Sequence, residues 1–192
     1  MITVVDYDLG WPGRFQQLRR EYAGALAAAG VPVVAIEHIG STSVPGLAAK
    51  PVIDCDIVVA EADVGAASRV LAGLGFTPEG DLGVPLRWAF KEPPRLARTN
   101  TYVIVAGSLS LRNHLAVRDV LRANPDLRAQ YAAVKKQVAA VAADIDEYGR
   151  GKDAILQRIL AASGGATADQ PDGRGDKRHR QREQPAGLDP LE

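Results

Sequence analysis

Apolar residues recur at three- and four-residue spacing through Pro12–Ala29, at Phe15, Leu18, Tyr22 and Leu26, and predict an amphipathic helix. Pro12 suits its first turn and Gly30 its C-terminal stop. Ile2–Tyr7 before it is a short extended segment, and Val31–Ile39 after it predicts a strand. Ser43-Val44-Pro45-Gly46 is turn chemistry, with one helical turn expected in Leu47–Ala49. Val52–Val59 is almost continuously apolar apart from Asp54 and Asp56, which predicts a central strand covered on both faces. Ala62–Leu74 is helical in pattern and closed by Gly75. Phe76–Pro78 and Arg87–Lys91 are short extended stretches around a Gly/Pro-rich loop, and Thr101–Val105 is a strongly β-prone run. From Leu109 the spacing is helical: Leu111–Ala123, a break at Asn124-Pro125, then Leu127–Ala143 and Gly151–Ala162. Strands mixed with helices and then helices alone predict a mixed α/β (α+β) domain with a helical C-terminal part.

Composition narrows the classes. The 192 residues suffice for one domain, expected over 1–162, plus a polar remainder. Residues 163–192 are rich in Gly, Pro and charge and poor in large apolar residues, so a disordered tail is expected there. Its basic cluster Lys177–Arg182, with His179, is interspersed with acids and is read as a solvated run. Lys plus Arg number 23, and Asp plus Glu also number 23, so no global charge argues for a nucleic-acid or membrane surface. A single cysteine, Cys55, excludes an internal disulfide and is expected to pack on the strand face opposite the aspartates. The N-terminal segment has no leader pattern, and no run approaches the ~18 apolar residues of a membrane span, so a cytoplasmic location is expected.

Asp54 and Asp56 carry the chemistry. Side chains two apart on a strand point to one face, so two carboxylates converge on a strand otherwise built of Val and Ile. Close like charges are costly without a cation between them, and an oxygen-rich pair suits Mg²⁺ or Mn²⁺. Upstream, Gly40-Ser41 forms a turn whose backbone N–H groups can approach a phosphate. Together they read as a metal–nucleotide site.

Hydrophobic–Gly40-Ser41 followed by Asp54-Cys55-Asp56 resembles the signature of the nucleotidyltransferase (polymerase β-like) superfamily. The longer string EHIGSTSVPGLAAKPVID resembles the hallmark of the GrpB (UPF0157) family within it, over about Val4 to Leu160. The opening VVDYDLGWPGRF, the block from Arg112 to Lys135 and the pair Tyr148 and Lys152 are similar to further family elements. This resemblance implies a nucleotidyltransferase-like fold and metal-dependent transfer of a nucleotidyl group from an NTP to an acceptor. It implies Mg²⁺ at Asp54 and Asp56, and phosphate cradled by Gly40, Ser41 and Thr42. Lys50, Arg118 and Lys135 are expected to bind phosphates, with Tyr148 and Lys152 closing the same cleft. Arg98 is a weaker candidate; Glu37 and His38 flank the Gly-Ser turn, His38 as a structural histidine or a general base, and His114 sits on the helical block. Trp11 and Trp88 are expected in the core or cleft wall.

Two departures stand out. Asn100–Val105 offers no acid where such enzymes usually place a third carboxylate, and Tyr102 stands where GrpB proteins commonly have a histidine. A competing reading is therefore a non-catalytic accessory domain, like the GrpB-like domain attached to dephospho-CoA kinase in some bacteria; this chain has no P-loop of its own. A third is a module that binds a nucleotide or another phosphorylated small molecule, such as a coenzyme, without turnover.

Overall fold

A computed structural model describes residues 2–164; beyond Gly164, the expected tail lies outside the described residues. One sheet holds β1 (Ala35–Ile39), β2 (Ile53–Val59), β3 (Thr77–Gly80), β4 (Arg87–Lys91) and β5 (Thr99–Val105), in the order β1-β2-β5-β4-β3. Only the β2–β5 pair is parallel. A parallel neighbour requires a crossover, and here it contains α2 (Val64–Gly73) and the β3–β4 hairpin. The remaining helices are α1 (Trp11–Ala28), α3 (Leu109–Ala123), α4 (Pro125–Val141), α5 (Ile145–Arg150) and α6 (Asp153–Ala162).

The strand period of two sorts β2 between two layers. Ile53, Cys55, Ile57 and Val59 join the main core with the α1 stripe Trp11, Phe15, Leu18, Tyr22 and Leu26 and with Val64, Ala67 and Leu71 of α2. Tyr22 is fully enclosed and its hydroxyl lies 2.9 Å from Thr101 Oγ1, tying α1 to β5. Cys55 packs on this side, as expected, and burial pushes its thiol up. Val58 and Ile104 face the other way, onto Leu111 and Leu115 of α3. A separate apolar cluster joins Val44 and Leu47 to Leu121, Tyr131, Ile155 and Ile159, seating the C-terminal helices on the segment that follows β1.

Several boundaries shift for local reasons. β1 starts at Ala35, because Pro32 has no N–H to contribute; pairing with β2 is first felt at Val34, whose N–H donates to Val58 O at 2.8 Å. The helical turn expected at Leu47–Ala49 is at Ser41–Ser43 instead. Ala49 is extended, exchanging two 2.9 Å backbone hydrogen bonds with Val5. The sequence pattern does not predict α5. Asp144 caps it by accepting from the N–H groups of Asp146 and Glu147, a signal hidden by the short length of the helix.

Candidate functional site

Strand register assembles the site. Residues directly opposite each other share a sheet face, so Ile39, Asp54 and Asn100 form one row. Glu37, Asp56, Tyr102 and Ala89 form the next, and Ala35, Val58, Ile104 and Arg87 the third. The two aspartates thus project from the middle of the sheet onto the face that α3 covers.

Each aspartate is held by a different neighbour. Asn100 Nδ2 donates to Asp54 Oδ1 at 2.6 Å. His114, on α3, places Nδ1 2.7 Å from Asp56 Oδ2, and Asp56 is completely enclosed. The sequence alone gives neither holder this role. For Asn100 the signal was its position on a strand beside the aspartates; for His114 only the fold brings α3 over Asp56.

Gly40 sits against Asp54. Its φ of 68° lies in the left-handed region, and a Cβ there would come within 2.2 Å of Asp54 Oδ2. The expected helix after Gly40-Ser41 is a single 3₁₀ turn, Ser41–Ser43, since Pro45 bars continuation. Ser43 Oγ donates back to Gly40 O at 2.6 Å, and Arg122 donates to Ser43 O from Nε and Nη2 at 3.1 and 2.8 Å. Thr42 is buried, its hydroxyl donating to Val52 O at 3.0 Å and lying 3.0 Å from His38 Nε2. With the Thr42 proton given to Val52, His38 supplies the other one from Nε2. The His38 ring stacks on Phe15 at 4.5 Å between centroids, and burial pushes it down to about 4, Asp54 opposing and Arg122 and Arg118 reinforcing. His38 is therefore a neutral strut of the turn near pH 7.

A cavity of about 530 Å³ opens beside this turn, a size that suits a small ligand. Gly40, Ser41, Asp54, Lys50 and Lys135 line it, as do Arg87, Tyr102, His114, Tyr148 and Lys152. Its far wall is apolar, with Val117, Leu121, Leu156 and Leu160 from α3 and α6. Basic groups stand over aromatic rings: Lys50 and Lys152 over Tyr148 at 5.2 and 4.5 Å, Lys135 over Tyr131 at 4.8 Å, and Arg87 over Tyr102 at 4.7 Å. Lys135, Lys152 and Arg87 are at most 4% exposed.

Thr42 and Arg118 do not line the cavity, and Asp56 lies enclosed behind its wall rather than on it. Arg118 Nη1 contacts Glu37 Oε2 at 2.7 Å and His38 O at 3.3 Å, while Nε contacts Asp119 at 2.7 Å. Those carboxylates raise its already high pKa against the opposing effect of burial. Arg98 lies at a different hollow, beside Arg14 and Arg95. Trp11 is core, and Trp88 packs against the same core.

Among the described residues no group of three or more His, Cys, Asp or Glu side chains is arranged to hold a metal ion. The donor set is two carboxylates. Asp56 Oδ1 is buried with no hydrogen-bond partner among the described residues, which is the kind of oxygen a cation satisfies. Two carboxylates of this kind would suit one Mg²⁺ or Mn²⁺, with phosphate or water oxygens supplying the rest of its ligands. No helix among the described residues is long and apolar enough to cross a membrane.

Comparison with known proteins identifies the family and the fold. The sequence model of the family described as GrpB protein matches residues 1–162. A UPF0157 protein of Bacillus subtilis is 38% identical over 79% of the chain, which spans only 44% of that protein's length. A UPF0157 protein of Streptomyces coelicolor is 36% identical, with 86% of each chain covered. A dephospho-CoA kinase of Mycolicibacterium paratuberculosis is 31% identical over 77% of this chain and 42% of the kinase. Among solved structures, the conserved protein GrpB from Enterococcus faecalis superposes with a TM-score of 0.73 at 30% identity, covering 84% of this chain and 96% of that one. The GLD-2/RNP-8 complex gives a TM-score of 0.53 at 14% identity over 96% of this chain and 75% of that one, a likeness of fold alone.

Proposed function

Because this chain belongs to the GrpB family and has its nucleotidyltransferase-like fold, we propose that it binds a nucleoside triphosphate in the cavity beside Asp54 and transfers the nucleotidyl group to an acceptor, releasing pyrophosphate. The observation that carries this reading is the meeting, in one cavity, of the Gly40-Ser41 turn, the Asp54 carboxylate and four basic side chains. Gly40 and Ser41 let backbone approach a phosphate where any larger residue at position 40 would collide with Asp54. Lys50, Lys135, Lys152 and Arg87 supply charge to the polyphosphate, and their aromatic partners limit where the chains of these residues can swing. Asn100 and His114 fix the two carboxylates in place. Mg²⁺ or Mn²⁺ held by Asp54 and Asp56 would neutralise charge developing on the transferred group.

A second reading has a specific observation behind it. Asn100 occupies the row position beside Asp54 from which a third acid would act, which favours binding of a nucleotide or coenzyme without turnover. The likeness to a dephospho-CoA kinase adds an accessory role toward such a partner.

Thermal stability with ATP, GTP, CTP and UTP, each with Mg²⁺ or Mn²⁺, tests these readings on the wild type and an Asp54→Asn/Asp56→Asn variant. Ligand at tens-fold excess over Kd raises stability by about 2 kcal/mol. A shift in the wild type that the variant loses, accompanied by pyrophosphate release when an acceptor extract is supplied, supports transfer. A shift without release under those conditions supports binding alone, and no shift with any nucleotide leaves the accessory role.

A further inference from the structure

We infer that this site admits a divalent cation only together with its polyphosphate, as one anionic complex, and that the neutral Asn100 side chain at Asp54 sets this coupling. The inference rests on the reading of the cavity as a metal–polyphosphate site.

Four features carry it. First, the carboxylates are few: the row that begins at Ile39 and Asp54 ends in Asn100, an amide, so β5 adds no negative charge. Second, each aspartate already spends one oxygen on a protein donor, Asp54 Oδ1 on Asn100 and Asp56 Oδ2 on His114. The partnerless oxygen, Asp56 Oδ1, belongs to the aspartate that is wholly enclosed. Third, the cations outnumber the acids. Lys50, Arg87, Lys135 and Lys152 line the cavity against Asp54 and Asp153, and adding Asp56 behind them still leaves four formal positive charges to three negative. Fourth, three of those cations are nearly inaccessible to solvent, where screening by salt is weak.

A free dication entering such a cavity meets net positive formal charge. The same ion carried on a triphosphate arrives with the opposite net sign, and the lysines that repelled it now attract its carrier. Linkage makes the effect reciprocal: the ion must tighten the anion by the factor by which the anion tightens the ion. A third acid in place of Asn100 would remove the excess of positive charge and let the ion bind alone.

The test is calorimetric titration of the full chain with Mn²⁺ alone, with inorganic tripolyphosphate in EDTA, and with the two premixed. Mn²⁺ alone should give no saturable binding up to about 1 mM, and the premixed complex should bind at least about tenfold more tightly than the metal-free anion. Mn²⁺ binding alone as tightly as in the complex overturns the coupling and leaves the cavity reading intact. Absence of tripolyphosphate binding with and without metal overturns the cavity reading, and the inference with it. Asn100→Asp should bind Mn²⁺ alone and gain thermal stability from it, whereas a folded Asn100→Asp protein that ignores Mn²⁺ overturns the role given to Asn100. Lys135→Met provides a check independent of that variant. It should weaken tripolyphosphate at least severalfold while strengthening Mn²⁺ alone, and weakening of both overturns the charge argument.

Discussion

Gly40 and Asp54 are so closely apposed that a Cβ on the glycine would stand 2.2 Å from the Oδ2 of the aspartate. Gly40→Ala therefore meets two penalties, a φ of 68° and a collision with a carboxylate that Asn100 holds from the other side. The expected loss is about 2–4 kcal/mol in urea denaturation, with loss of any nucleotide-induced thermal shift. Wild-type stability and ligand response in this variant would show that the turn is not in contact with the acid.

Gly151 is a second glycine set by packing, here without a positive φ. A Cβ would lie 2.5 Å from Val138 Cγ1, where the end of α5 crosses α4. Gly151→Ala should cost about 1–3 kcal/mol by overpacking. Val138→Ala in the same chain should recover part of that loss, and additivity of the two changes in denaturant titrations would contradict the contact.

His38 gives stability a pH dependence. Burial, with help from Arg122 and Arg118 and against Asp54, holds it at about 4, while an unfolded-chain histidine titrates near 6.5. Between those values the unfolded chain binds the proton and the folded one does not. The stability present above pH 6.5 therefore falls as pH drops toward 4, by about 3 kcal/mol in all. His38→Gln should flatten this part of the profile, and an unchanged slope in urea denaturation from pH 7 to 4 would place the titrating group elsewhere.

Arg118 and Lys135 should separate cleanly. Arg118 braces Glu37 and His38 O outside the cavity, whereas Lys135 lines it. Arg118→Gln is expected to lower stability by about 1–3 kcal/mol and to change nucleotide affinity less than threefold. Lys135→Met should lower affinity for a triphosphate by tenfold or more. Isothermal titration of both variants decides; equal losses would bring Arg118 back to the phosphates.

Much of this architecture is legible in the sequence, because periodicity encodes burial. The α1 stripe from Phe15 to Leu26 and the alternation of Asp54 and Asp56 with Cys55 and Ile57 are read from spacing alone. The family string marked Gly40, Ser41 and Asp54, and these do share a cavity. What spacing does not encode is which long side chain reaches which neighbour. Arg118 and His114 lie on one helix four residues apart, yet one turns to Glu37 and the other to Asp56. The strand-to-strand register that sets Asn100 beside Asp54 is likewise a tertiary fact. So is the placing of the helical turn at Ser41–Ser43 rather than Leu47–Ala49, since Ala49 is claimed by Val5.

The parallel pairing of β2 with β5 has a consequence for how the molecule is made. A growing chain that has emerged only as far as the β3–β4 hairpin can already zip β1 against β2, setting Glu37 directly across from Asp56. Like charges facing each other oppose that pairing, and the two side chains that answer them in the folded protein, His114 and Arg118, both come later in sequence. One late helix then quiets both acids, His114 of α3 settling on Asp56 and Arg118 on Glu37. The docking of α3 thus removes the repulsion that the β1–β2 register builds in.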